Sequence, residues 1–252
     1  MPQPLLDHHE LRDESRWQGF HNNWAVKIVD YLNAGVLPAE YRSDSEVRAG
    51  VQAVIDVAGL RDAHEGNGHA PSAAAGGTAV ATYAPPRPTL AAAVDFADTD
   101  VYEVKVRLGR WDVVAAVELV SPANKDRPQS RRLFAGKVGG YLAAGLSVVV
   151  VDVNGERSAD PHADLCDALG LPPALRWESP SGLSAVAYRP VQGVLPGRFP
   201  APDGRVRLEV WPHELRVGES LPTVPLWLAA DLAVPLDLDA TYAAACRSLR
   251  LA

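Results

Sequence analysis

The sequence predicts a mixed fold of the α/β or α+β class, on three observations. Residues 117–153, VELVSPANKDRPQSRRLFAGKVGGYLAAGLSVVVVDV, run from an apolar strand-like segment through a polar loop and a helical stretch into a second apolar strand. That order is a βαβ crossover and implies parallel neighbouring strands. An apolar helical stripe precedes this block. Several strand-like segments follow it, which makes the second half β-rich.

Taken in order, residues 17–34 place Phe20, Trp24, Ile28, Tyr31 and Leu32 on one helical face, with Gly35 as the stop. Residues 45–59, SEVRAGVQAVIDVAG, read as a strand with Gly50 as a turn or bulge. Residues 62–88 are rich in Ala, Gly, His and Pro and end in YAPPRP, so a loose surface insertion is expected there. VYEVKVRLG and WDVVAAVELV, either side of Gly109-Arg110, suggest a hairpin. Residues 129–144 suit a helix capped by Gly145, although Gly139 and Gly140 weaken it. LSVVVVDV is continuously β-branched, the pattern of a strand buried on both faces. Beyond it, residues 160–170 are helix-like, 176–190 and 204–219 strand-like, 221–239 punctuated by proline, and 241–251 helical. There is no internal repeat and no heptad pattern.

With 252 residues, 47% hydrophobic and 22% charged, the chain can bury one substantial core and is not broadly disordered. A net charge of −7 gives no general attraction to nucleic acid or anionic membrane, but it leaves room for a local basic groove. Cys166 and Cys246 have no ligand spacing, which argues against a zinc ribbon or disulfide framework. The opening MPQPLLDHHELRDE lacks an apolar signal core, and the run from Leu146 to Val151 is too short to span a bilayer. A cytoplasmic protein with no membrane partner is expected; oligomeric state is not legible.

Two acidic residues stand in apolar strand contexts, Asp56 in AVIDVAG and Glu118 in AAVELVS. A carboxylate between Val117 and Leu119 is costly to bury unless a cation or donors meet it. Carboxylates at adjacent strand ends suit Mg²⁺, which prefers oxygen ligands and retains waters. Lys125 in the loop after Glu118 and Lys137 on the following helix can supply positive charge to a phosphodiester transition state. The competing reading is a structural ion pair at a strand end.

The central block resembles an uncharacterised bacterial family, domain of unknown function 4058. That family's pattern is similar to E-h-L-S-P-x-N-K, with h apolar, then an Arg-rich helix carrying a Lys, then a strand ending in Asp. The W-x-x-F-H at residues 17–21, PAEY at 38–41, AVIDV and LPTVPLWL also fit it, so the resemblance covers most of the chain. The block is distantly similar to Uma-type endonucleases of the restriction-endonuclease-like PD-(D/E)XK superfamily. This implies an α/β fold: a mixed sheet core flanked by helices over about 17–155, with a β-rich extension over about 156–252, as one domain. It also implies a metal-dependent nuclease-like site, with Asp56 and Glu118 as Mg²⁺ ligands and nucleic acid as the partner. Ile55 stands where the superfamily usually has Pro, and Val120 occupies the usual Lys position of (D/E)-x-K. In the Uma-type relatives the Lys sits on the helix, which nominates Lys137, with Lys125 auxiliary and Asp152 as the strand-end Asp. The alternative is a non-catalytic binding or scaffold protein with a degenerate site.

Other constellations are weaker. Glu103 and Lys105 share a strand face and suit a cross-strand ion pair. Arg127, Arg131 and Arg132 form a basic cluster that fits phosphate or simply a solvated helix start. His21 suits a structural role more than a site role, and His8, His9, His64 and His69 lack metal-ligand spacing. VVVVD lacks the Gly-rich loop of a nucleotide-binding oxidoreductase.

Overall fold

The computed structural model describes residues 4–6, 14–46, 55–62, 83–94, 111–155, 158–192 and 206–251. Its framework is a seven-stranded mixed sheet that carries an apolar core on each face. Helix α1 (Glu14–Tyr31) buries Trp17, Phe20, Trp24 and Ile28, spaced three and four apart on one stripe. A short π turn ends it at Gly35, whose φ of +110° suits a residue without Cβ. Strands β1 (Tyr41–Glu46) and β2 (Ile55–Asp62) then pair antiparallel. The stretch 45–59, expected as one strand, therefore contributes to two, and its centre with Gly50 lies outside the described residues.

Strand β3 (Leu90–Val94) sits on the far edge of the sheet, and β4 (Trp111–Leu119) lies antiparallel to β2. The expected first strand of a hairpin at 101–109, with Glu103 and Lys105, falls outside the described residues, as do 63–82 of the expected insertion. After β4 come α2 (Pro122–Asp126), α3 (Pro128–Ala143) and β5 (Ser147–Asp152), which runs parallel to β4 as the crossover pattern requires. Ser121 and Asn124 form a reciprocal capping box at α2. At the end of α3, Gly145 with φ +85° donates its N–H to the Leu142 carbonyl at 3.0 Å.

The chain continues through α4 (Pro161–Ala168), β6 (Ser184–Gln192) and β7 (Val206–Glu214), giving the sheet order β1-β2-β4-β5-β6-β7-β3. Residues 176–183, expected within a strand, form turns instead, with Gly182 at φ +72°. The proline-punctuated segment is a separate hairpin of β8 (Thr223–Ala229) and β9 (Leu232–Asp237), followed by α5 (Leu238–Leu249).

Alternation along the strands assigns the two cores. Val117 and Leu119 of β4 and Val149 and Val151 of β5 face α1, α5 and the β8–β9 hairpin. Val148 and Val150 face the other way, against Phe134, Val138 and Leu142 of α3 and Leu165 of α4. This two-sided burial is why β5 is a run of valines rather than an alternating strand. Gly139 explains itself at the α3–α4 contact: a Cβ there would meet Leu169 Cδ2 at 2.7 Å. No helix among the described residues is long and apolar enough to cross a membrane.

Candidate functional site

Glu118 has the opposite alternation from Val117 and Leu119, so it lies on the α3 face near the end of β4, where it is 1% exposed. What meets it is Lys137. The residue follows Phe134 by three and precedes Val138 by one, so it emerges at the edge of α3's buried stripe and spans back to the sheet. Its Nζ donates to Glu118 Oε2 at 2.8 Å, with the lysine side chain 15% exposed. A buried carboxylate and a lysine at the protein's edge therefore form one charge-assisted hydrogen bond.

The strand register adds Asp56. Val57 pairs with Val117 in the antiparallel β2–β4 ladder, so Asp56 and Glu118 hold facing positions on one side of the sheet. The side chain of Asp56 lies outside the described residues.

Lys125 goes elsewhere. Its Nζ donates to Asp152 Oδ2 at 2.8 Å and to the Asn154 carbonyl at 2.7 Å, and Asp152 Oδ1 accepts the Asn154 N–H at 3.0 Å. The pair is sealed from solvent. Burial pushes the Asp152 carboxyl up from 3.8 to about 6, against the opposing pull of Lys125 and the Asn154 N–H. Glu118 is in register with Val150, two residues before Asp152, so both carboxylates lie on one face at the C-terminal ends of adjacent parallel strands. Each is met by its own lysine from the α2–α3 connection.

The remaining candidates separate from this centre. Arg131 reaches Asp164 at 3.8 Å, Arg127 stands 3.3 Å from its neighbour Asp126, and Arg132 is exposed. His21 is buried on α1, with its ring 6.5 Å from that of Trp17.

A buried polar cluster had no advance signal in the sequence. His162 Nδ1 lies 2.8 Å from Tyr188 Oη, and its Nε2 lies 2.9 Å from the Leu175 carbonyl. A carbonyl only accepts, so Nε2 carries the proton and Nδ1 accepts from the tyrosine. Cys166 Sγ lies 3.6 Å from the same Nε2, and burial pushes its thiol up to about 11, which keeps it protonated and unreactive. The cluster anchors α4 to β6.

The architecture thus defines a mixed α/β protein with a carboxylate–ammonium centre at the C-terminal ends of two parallel strands. No family model matches the chain, and no curated protein and no solved structure matches it.

Proposed function

We propose that this chain is a divergent restriction-endonuclease-like protein, akin to the domain of unknown function 4058 family, with a metal-dependent phosphodiester hydrolase site at Asp56, Glu118 and Lys137. The observation that carries the reading is the 2.8 Å contact between Lys137 and Glu118, made by a helical lysine where the strand offers Val120. Element order supports it: α1, then antiparallel β1, β2 and β4, then α3 and parallel β5.

The residues fit Mg²⁺. Asp56 and Glu118 would hold it, and Glu118 already accommodates a cation at one oxygen. Two protein carboxylates leave most of the coordination shell to water, which Mg²⁺ accepts. When bound, the ion supplies Lewis acidity at phosphoryl oxygen and a water of lowered pKa. Lys137 then contributes an ammonium to the charge that builds on the phosphodiester. Lys125 keeps a supporting role by tying α2 to the end of β5 through Asp152.

A second reading is favoured by one observation, the 1% exposure of Glu118 beneath its own salt bridge. On that reading the ion pair is structural and the fold serves as a binding module or scaffold. Calorimetric titration with MgCl₂ and cleavage of plasmid and single-stranded DNA and RNA separate the two. The hydrolase reading expects binding and cleavage by the wild type, both lost in Glu118→Gln. A wild type that neither binds Mg²⁺ nor cleaves leaves the scaffold.

A further inference from the structure

We infer that Lys137 is a resident cation at Glu118, which a divalent ion must displace, so that metal binding and release of the Lys137 ammonium are one event. The inference rests on the metal-site reading above and adds a competition to it.

The argument comes from contrasting two pairs built alike. Both lysines approach their carboxylates at 2.8 Å, both come from the α2–α3 connection, and both carboxylates lie on one face of the sheet. Their surroundings differ. Lys125 has a second bond, to the Asn154 carbonyl, and its side chain and that of Asp152 are 1% and 0% exposed. Releasing that ammonium would strand two buried polar partners. The Lys137 side chain is 15% exposed and borders an open stretch of α3. Leu133, one turn earlier, is 56% exposed, and a Cβ on Gly136 would meet nothing within 4 Å. The four-carbon stem of Lys137 therefore has room to rotate its ammonium outward into water while α3 stays seated. Glu118 has no such freedom, because it sits on a central strand hydrogen-bonded on both sides. Of the two partners, the lysine is the one that moves. A monovalent, flexible cation holding a rigid buried carboxylate is a placeholder that a doubly charged ion with the same oxygen preference can replace. The displaced ammonium remains tethered beside the same carboxylate, where a phosphodiester would need it.

Calorimetric titration of the full chain with MnCl₂ and MgCl₂, in wild type and Lys137→Met, tests the inference. Removing the competitor should tighten metal binding at least about tenfold. Unchanged or weaker binding in Lys137→Met overturns the competition while leaving the metal site in place. No binding in either protein overturns both. A second measurement needs no variant: acetylation of Lys137 in the wild type, followed by mass spectrometry with and without MnCl₂. Labelling of Lys137 should accelerate several-fold with metal while Lys125 stays unlabelled. Equal labelling rates, with metal binding visible by calorimetry, overturn the inference alone.

Discussion

At Asp152, burial and pairing pull in opposite directions. Desolvation lifts its carboxyl from 3.8 to about 6, and Lys125 and the Asn154 N–H oppose that rise. Between those two values the folded protein holds a proton that the unfolded chain has released. This group's contribution to stability therefore falls as pH rises through that window, on the order of 3 kcal/mol in all. Lys125→Met takes away the cation and leaves the carboxylate buried, so the variant should lose roughly 3–5 kcal/mol near neutral pH. Its folded carboxyl should titrate still higher, so the penalty should grow as pH rises above 6 and shrink on acidification. Urea unfolding of both proteins from pH 4 to 8 checks this; a penalty that does not vary with pH would show that Asp152 is not the group responsible. Sequence reasoning could see that Lys125 and Lys137 both follow Glu118 closely. It could not see which would reach it, because Lys125's true partner lies 27 residues away across the sheet. Charged side chains choose partners by tertiary proximity, and that information is not local.

Among the elements, legibility followed how far each pattern depends on neighbours. The α3 helix, its Gly145 cap and the valine run of β5 carry their own periodicity and turn chemistry, and all three form as expected. Strand β1 did not announce itself. It is an edge strand, YRSDSE, whose exposed Arg42 and Asp44 alternate with buried Tyr41 and Ser43, and charge on an edge masks the strand signal. The β8–β9 hairpin was hidden for another reason. Pro225 faces Pro235 across the ladder, a pairing possible only where both missing N–H groups would point away from the partner strand. From sequence, two prolines argue against strands; only the register reconciles them. The α4 anchor was equally invisible, and it carries its own prediction. Burial lowers the His162 titration below its ordinary 6.5, so the folded protein resists a proton that the unfolded chain accepts. Stability from this group is complete above 6.5 and is lost as pH falls below it, the opposite sign to Asp152. His162→Gln should remove that acid-side loss, read as the difference between unfolding curves of variant and wild type from pH 5 to 8. A difference that is flat across that range would place the His162 proton elsewhere.

For the whole molecule, the decisive feature is that one sheet serves two cores. Strands β4, β5 and β6 lend alternate residues to the face under α1, α5 and the hairpin and to the face under α3 and α4. Loosening either face exposes the backs of strands the other face needs, so the two should unfold together. Leu5 is the most distant contributor to the first core. It is 1% exposed, exchanges backbone hydrogen bonds with the Gly218–Glu219 turn, and is followed by Leu6, whose N–H donates to Tyr242 Oη. Leu142 is its counterpart in the second core, also 1% exposed. Leu5→Ala and Leu142→Ala should each cost roughly 2–5 kcal/mol, the range for leaving a buried leucine cavity. Because they share no partners, their effects should add in the double variant within about 0.5 kcal/mol. The intrinsic probes divide usefully: Trp17, Trp24, Trp211 and Trp227 belong to the first core, and Trp177 packs beside the second. Tryptophan fluorescence and far-ultraviolet circular dichroism should therefore give one coincident transition in the wild type and in each variant. If Leu142→Ala instead splits the curve, with circular dichroism falling before the first-core tryptophans respond, the faces unfold separately and the shared sheet does not couple them.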